Sequence, residues 1–184
     1  MENSTSQGRT QVRMREFSKS LPMSLLRARE AVMQRFRSSL RAFNITEQQW
    51  RILRALTSIT EIEVTALANA TFLLPPSLSR ILKDLEEREL VVRRSDPDDL
   101  RRNLVSISPS GMTLIEVVAP HSEGIYSEIT TAFGAEKLQT LQALLRELEA
   151  TLQQLAPVQA PTDGAAMAAQ LRAGPRGRPR KSSL

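Results

Sequence analysis

Cysteine is absent from this chain of 184 residues, and histidine occurs once. The lack of cysteine excludes disulfides, thiolate metal sites and a cysteine nucleophile, which fits a reducing cell interior. The sequence also lacks a glycine-rich phosphate loop and any cluster of metal ligands. The usual acid–base and nucleophilic arrangements are therefore missing, and we expect no enzymatic activity, no cofactor and no metal.

Long apolar runs are missing as well. No stretch reaches the length of a membrane span, and the first residues do not have the pattern of a signal peptide. We therefore expect a soluble intracellular protein without a membrane partner.

Positive charge exceeds negative charge, with a formal net charge of +5 and a pI near 10.4. Such a balance suggests a polyanionic partner. After residue 156, however, five basic residues stand against Asp163 alone, so this tail carries +4 of the net charge. The body is therefore nearly neutral, and any basic face must come from local arrangement.

Residues 75–90 have the pattern of a helix that reads DNA. Leu78, Ile81, Leu82 and Leu85 recur at the spacing of one buried helix face, and two prolines suit its first turn. The remaining face is polar, and short hydroxyls with long cations at the front of a helix contact base edges and phosphates. We predict DNA contacts from Pro76, Ser77, Ser79, Arg80 and Lys83.

Directly after this helix the apolar period changes from 3.6 to 2. Residues 91–94 and 104–108 are predicted as two short strands joined by the turn-forming segment SDPDDLRRN. Glu89 lies where such a helix usually ends in a left-handed glycine. A helix followed by a basic-tipped hairpin predicts a winged helix-turn-helix, in a fold that is mainly α with a small β-hairpin wing.

The helices before this unit have clear signals. Residues 21–43 carry an apolar stripe with Arg29 in its middle. Thr46 and Gln49 have the spacing of a capping box, and Trp50 faces inward on the helix that they open. A short third helix is predicted near residues 63–70.

Two further helices are predicted after the wing. Residues 109–111 are expected to end the strand, and a helix from 112 to about 132 has His121 at the centre of its apolar stripe, which comprises Leu114, Val117, Val118, Ile125 and Ile129. In the last helix, leucines alternate at spacings of three and four, as in a heptad seam: Leu138, Leu141, Leu145, Leu148, Leu152 and Leu155. The partner of this seam could be the helix at 112–132 of the same chain, but we favour a two-fold homodimer in which the first and last helices of both subunits interdigitate. Its reading helices would lie about 34 Å apart on palindromic double-stranded DNA.

These segments predict three parts of the chain. Residues 1–18 are expected to be a flexible N-terminal arm. Residues 19–156 form one domain, in which 46–108 are the winged DNA-binding part and 19–45 and 109–156 are dimerisation helices. Residues 157–184 are expected to be a disordered basic tail, because they are rich in Ala, Pro and Gly.

Three segments together resemble the MarR family of winged-helix transcription regulators: TEQQWRILRAL, LANATFLLPPSLSRILKDLEERELV and DPDDLRRNLVSISPSG. Within the family, SLPMSLLRAREAVMQRFR and ATFLLPPSLSRILKDLE are similar to the group that regulates homoprotocatechuate degradation. The resemblance covers residues 21–155. It implies a homodimer that represses an operon and is released by a small phenolic or aromatic carboxylate ligand.

The resemblance also implies roles for individual residues. The wing pattern of the family is matched by Asp99-Leu100-Arg101, in which the aspartate orients the arginine that enters the minor groove, and Arg102 is a second candidate. The polar residues predicted on the reading helix occupy the family's contact positions. Glu89 departs from the family's usual glycine.

In this family the ligand typically binds between the dimer helices and the reading domain. Arg29 and His121 are candidates to hold a carboxylate and a phenolic oxygen there, with Trp50 and Met23 as further ligand-binding candidates. Alternatively, Arg29 pairs with a glutamate such as Glu30 of the partner subunit or Glu128, His121 is a satisfied core residue and Trp50 is a packing anchor.

The tail contains the segment PRGRPRK at residues 175–181, which resembles an AT-hook. In that motif Arg176 and Arg178 would insert into a narrow A·T minor groove. Alternatively, the tail binds phosphates without reading sequence.

Two functions remain open at this point. A ligand-responsive repressor explains the reading helix, wing, leucine seam and dimer together. An architectural DNA-binding protein would explain the wing and tail but leaves Arg29 and His121 without a role.

Overall fold

The computed structural model describes residues 14–97, 99, 101–158 and 164. The described chain is mainly helical with one small sheet, as predicted. A short 3-10 helix at Phe17–Lys19 precedes the main elements, which are α1 (Leu21–Ala42), α2 (Glu47–Leu56), β1 (Ile62–Glu63), α3 (Val64–Thr71), α4 (Pro75–Glu87), β2 (Val91–Ser95), β3 (Asn103–Ile107), α5 (Pro109–Phe133) and α6 (Ala135–Gln154). The chain divides into two compact units after Gly134.

The wing is a three-stranded antiparallel sheet with the order β1-β3-β2. Val91 lies opposite Ile107 and Ser95 opposite Asn103, so the predicted hairpin is confirmed. The third strand, β1, pairs Ile62 with Val105. It was not predicted, because two residues are too few to show a period. This strand attaches the wing to the segment before α3.

The core of the first unit lies where α2, α3 and α4 meet the sheet. The predicted inward faces are confirmed, since Leu53 and Leu56 of α2 and Leu82 of α4 are completely buried. Other fully buried side chains are Ile52, Leu67, Thr71, Leu78, Leu85, Val105 and Val118. Burying a leucine contributes about 1.5–3 kcal/mol to the free energy of unfolding, so this packing fixes the orientation of α4 relative to the sheet.

The corner between α1 and α2 confirms the predicted capping box. The hydroxyl of Thr46 accepts from the backbone N–H of Gln49 at 3.2 Å, and the Gln49 side-chain oxygen accepts from the Thr46 N–H at 2.8 Å. The same Gln49 side chain donates its amide hydrogen to Asp84. A residue that caps α2 therefore also ties α2 to α4.

The end of α4 confirms the expectation for Glu89. This residue has φ 56°, in the left-handed region that glycine usually occupies. The chain then enters β2 at Val91, and the carbonyl of Glu89 accepts from the Ser108 hydroxyl at 2.6 Å. The sharp turn between the reading helix and the wing is thus held from the start of α5.

The start of α5 corrects the sequence prediction. Residues 109–111 begin the helix instead of preceding it, because Ser108 caps it by accepting from the Gly111 N–H at 2.9 Å. The expected stripe is also wrong in part, since Val117 is 50% exposed whereas Ile115 is buried. Small residues share the buried face at Gly111 and Ser122, and hydrophobicity alone does not show such a face.

Part of the predicted N-terminal arm has regular structure. Phe17–Lys19 form the 3-10 helix, and the Arg27 guanidinium donates to the carbonyl of Ser18 at 2.7 Å. Residues 1–13 lie outside the described residues.

The second unit contains α6, which buries none of its residues. Four leucines of the predicted seam are 41–62% exposed: Leu141, Leu145, Leu152 and Leu155. Leu138 and Leu148 are half-buried. Within the described chain, no helix has the length and hydropathy needed to span a membrane.

Gly111 and Gly124 form a matched pair for testing the junction between α5 and the wing. A methyl group at position 111 would lie 2.1 Å from the carbonyl oxygen of Leu90, whereas one at 124 meets open space. We expect Gly111→Ala to lower the free energy of unfolding by about 1–3 kcal/mol. Gly124→Ala should raise it by about 0.5–1 kcal/mol, because alanine favours a helix interior. Urea unfolding at fixed protein concentration measures both, and equal effects would contradict the packing described.

Candidate functional site

The exposed face of α4 carries most of the predicted reading residues. Pro76, Ser79, Arg80 and Lys83 are exposed, while Ser77 is half-buried beside the core residue Leu78. Lys83 lies 3.7 Å from Glu87 of the next turn. Arg80 has no carboxylate partner within the described part of the chain. Its guanidinium is therefore available to an external anion.

Most arginines of the wing are already paired. Arg93 lies 2.7 Å from Glu86 of α4, and Arg94 lies 2.6 Å from Glu61 before β1. Both pairs are partly exposed, so each stabilises the fold only slightly. Their consequence is geometric, because each guanidinium is directed towards the body of the protein.

Arg102, the second wing candidate, is also held by the fold. It lies 3.1 Å from Glu63 and 3.4 Å from Asp96. The hydroxyl of Thr65 and the guanidinium of Arg102 lower the pKa of Glu63, and Glu63 in turn raises the pKa of Arg102. Both groups are thus charged at neutral pH. This pairing holds the Arg102 guanidinium to the segment around β1, and a contact of Arg102 with DNA stays a prediction.

Arg101 differs from its neighbours at the wing tip. The Asp99 carboxylate accepts from its backbone N–H at 3.0 Å, so the aspartate orients the main chain and not the guanidinium. The Arg101 side chain has no ion pair with any described residue. Two predicted DNA contacts, Arg80 on the helix and Arg101 on the wing, are therefore cations without an ion pair among the described residues. Arg176 and Arg178 of the tail lie outside the described residues.

A cavity of about 550 Å³, which we call the ring cavity, opens between α1, α2, α5 and the turn after α3. Its wall contains the aromatic rings of Phe36, Trp50, Phe72 and Tyr126, together with Val32 and Met33. The rings of Phe36 and Tyr126 are 4.9 Å apart in a tilted arrangement. The volume and the aromatic lining suit a small ring compound.

Three arginines and one glutamate form the polar part of the ring cavity: Arg29, Arg51, Arg54 and Glu47. Glu47 is bound by Arg29 and by Arg51, the latter at 2.9 Å. Arg54 has no carboxylate partner among the described residues. Its guanidinium lies 5.9 Å from the centre of the Trp50 ring. Among the cations of the cavity, Arg54 is thus the one without a carboxylate partner in the described chain, and its guanidinium can bind an external anion.

The sequence prediction placed Arg29 and His121 in one site, and the described chain separates them. His121 is exposed, packs on Phe43 at 5.1 Å between ring centres and lines a different cavity, of about 890 Å³, with Arg35 and Glu128. Periodicity shows the face on which a residue lies but not which helices meet, so the sequence does not show that these two residues line different cavities.

The other predicted ligand residues have mixed outcomes. Arg29 is paired with Glu30 at 2.7 Å and with Glu47, so the alternative that it pairs with glutamate is correct, although with these partners. Trp50 is buried in the core and also lines the ring cavity. Met23 is half-buried and lines neither of the two cavities.

Sequence reasoning missed Arg54, Phe72 and Tyr126 in this cavity. A signal for Arg54 was present, because Trp50 and Arg54 are four residues apart on α2 and such pairs meet on a helix surface. No comparable signal marks Tyr126, which reaches the cavity from α5 through the tertiary fold. Among the described residues, no group of three or more His, Asp or Glu side chains is arranged to hold a metal ion.

Comparison with known proteins identifies relatives of this chain. The sequence pattern of the MarR family matches residues 43–102. The HTH-type transcriptional regulator FarR of Neisseria gonorrhoeae is 40% identical over 129 residues, which are 70% of this chain and 88% of that protein. The homoprotocatechuate degradative operon repressor of Escherichia coli is 39% identical over 128 residues, which are 70% of this chain and 86% of the repressor.

A solved structure has the same fold and similar sequence. The crystal structure of NadR in complex with 4-hydroxyphenylacetate matches with a TM-score of 0.69 and 37% identity, covering 74% of this chain and all of NadR.

Proposed function

The chain belongs to the MarR family, and on that premise we propose that it is a homodimeric transcriptional repressor released from its operator by a small aromatic carboxylate. The relatives described above are regulators and a repressor, which supports this function over an enzymatic one. The repressor would act on an operon of aromatic-compound breakdown, in the cytoplasm where its operator lies.

The observation that carries the DNA-binding proposal is the selective pairing of cations. In the part of the chain that the structure describes, Arg93, Arg94 and Arg102 are bound to carboxylates, whereas Arg80 and Arg101 are not. An unpaired guanidinium gains a full charge-assisted contact from a phosphate or a base edge, because it loses no internal partner. The reading helix and the wing tip thus each offer one arginine to DNA, in the major and minor groove respectively.

Dimerisation is supported by the apolar surface that each unit leaves uncovered. The exposed leucines of α6 form a seam, and Leu21, Leu25 and Leu26 of α1 are 40–49% exposed. Burying apolar surface of this kind against a partner contributes about 25 cal/mol per Å² to the free energy of association. We propose that these helices join two copies, so that two reading helices fit a palindrome one duplex turn apart.

The chemistry of the ring cavity supports an aromatic acid as the effector. A phenyl ring would lie between Trp50, Phe36 and Tyr126, and Arg54 would bind the carboxylate. The latter contact is favourable because Arg54 has no internal carboxylate to release. The ligand in the NadR complex, 4-hydroxyphenylacetate, has both groups. We therefore propose a ligand of this class.

An architectural DNA-binding protein is the second candidate, and footprinting separates the two. A repressor protects one short palindrome near a promoter, whereas an architectural protein coats DNA with little preference. The ring cavity favours the repressor, because coating DNA requires no site for a small molecule.

Arg101→Ala tests the wing contact. We expect it to weaken binding to the footprinted operator by about 1–3 kcal/mol per contact, because it removes an unpaired cation from the minor groove. Arg102→Ala is the matched control and should cost less, since that guanidinium already binds Glu63 and Asp96. Fluorescence anisotropy at several salt concentrations measures both. Equal losses, or a larger loss for Arg102→Ala, would contradict the assignment.

Arg54→Gln tests the carboxylate site. The wild-type melting temperature should rise with 4-hydroxyphenylacetate, since a ligand of the native state stabilises it, and the variant should lose most of this rise. The neutral amide of the same acid is the ligand control and should have little effect on either protein.

His121→Ala is the protein control for that experiment, because His121 lines the other cavity. It should keep the wild-type response to the acid. If His121→Ala abolishes the response while Arg54→Gln retains it, the ring cavity is not the effector site.

A further inference from the structure

Arg51 connects the ring cavity to the turn that precedes the reading helix. Its Nη2 lies 2.9 Å from Glu47 Oε1, and its Nη1 donates to the backbone carbonyl of Thr71 at 2.9 Å. Thr71 is completely buried and is the last residue of α3. One planar guanidinium therefore joins a charged group of the cavity wall to the backbone of the helix-turn-helix.

The short turn after Thr71 couples the position of the Thr71 backbone to the position of α4. Phe72 has φ 51°, is 81% exposed and is one of the residues that line the ring cavity. Only residues 72–74 separate Thr71 from Pro75, where α4 begins. Because so few residues connect the two helices, a displacement of the Thr71 carbonyl would also move the start of α4.

A second attachment holds α4 at another point. Gln49 donates to Asp84, which lies more than two turns along α4 from Pro75, and Gln49 does not line the ring cavity. The two attachments thus differ in their exposure to a ligand. A change at the Arg51 end alone would tilt α4 about the Asp84 contact.

An anionic ligand in the ring cavity acts on the Arg51 end. Glu47 is mostly buried, with 14% of its side chain exposed, and it is shared by Arg29, Arg37 and Arg51. A carboxylate nearby attracts these guanidiniums and repels Glu47, so the ion cluster must rearrange. Because guanidinium is rigid and planar, Arg51 cannot follow Glu47 or the ligand without shifting its bond to Thr71.

We propose that Arg51 is the positioning residue through which an anionic occupant of the ring cavity changes the orientation of the reading helix. This proposal rests on the effector function proposed above and adds a route to it. Coupling requires that ligand and DNA favour different arrangements of the same element. The bridge from Glu47 through Arg51 to Thr71 is that element.

The test is the ratio of operator affinities without and with saturating 4-hydroxyphenylacetate. Both states are measured at saturation, so a change in ligand affinity does not enter the ratio. For the wild type we expect a ratio on the order of 5–150. In Arg51→Ala we expect it to fall towards 1, since no side chain then links Glu47 to Thr71.

Two further variants control for charge and for folding. Arg51→Lys keeps the charge and the long stem, but an ammonium lacks the fork that spans both acceptors, so its ratio should also fall. Arg37→Ala removes another partner of Glu47, at 3.0 Å, that makes no bond to Thr71, and it should keep the wild-type ratio. Thermal unfolding checks that each variant is folded. If Arg51→Ala does not fold, Arg51→Lys takes its place in the comparison.

The outcomes separate this proposal from the function on which it rests. A wild-type ratio in folded Arg51→Ala or Arg51→Lys overturns the role of Arg51 and leaves the repressor function intact. A ratio that falls equally in Arg37→Ala also overturns it, because the bridge to Thr71 would then be irrelevant. A ratio near 1 in the wild type overturns the proposed function, because 4-hydroxyphenylacetate then does not release the protein from its operator.

Discussion

The carboxylate of Glu47 is the constraint on which the arrangement of the functional parts depends. It lies at the first position of α2, mostly buried, and is bound by Arg29 and Arg37 of α1 and by Arg51 of its own helix. A carboxylate in that position is tolerated only when paired, since its desolvation costs several kcal/mol. The partners that satisfy it also join α1 to the winged domain and form the polar wall of the ring cavity.

Ion pairing also determines which charges of the wing are exposed to solvent without a partner. Its sheet brings several arginines close together, and carboxylates from α4 and from the segment around β1 bind all but one of those described. The pairs relieve repulsion within the wing and leave Arg101 at the tip. A body with almost no net charge can thus carry a local cation at the wing tip, since position matters here more than total charge.

Local chemistry made much of the fold predictable, and distant contacts set the limit. The capping box at Thr46, the left-handed turn at Glu89 and the buried face of α4 depend on residues within one or two turns, so the sequence shows them. The separation of Arg29 from His121 and the approach of Tyr126 to Trp50 depend on which helices meet. Ser108 was misread because a proline directly after it suits both the end of a strand and the first turn of a helix.

The exposed leucines of α6 affect whether the monomer or the dimer is the unit that folds cooperatively. An isolated helix of 20 residues is marginally stable in water, and among the described residues no side chain of α6 is fully buried. In the dimer that we propose, pairing would supply the missing burial, so folding of this segment and association would be one process. A ligand that tilts α4 in each copy would then act against a fixed dimer frame. The change would appear as an altered spacing of two reading helices, to which a palindromic operator is sensitive.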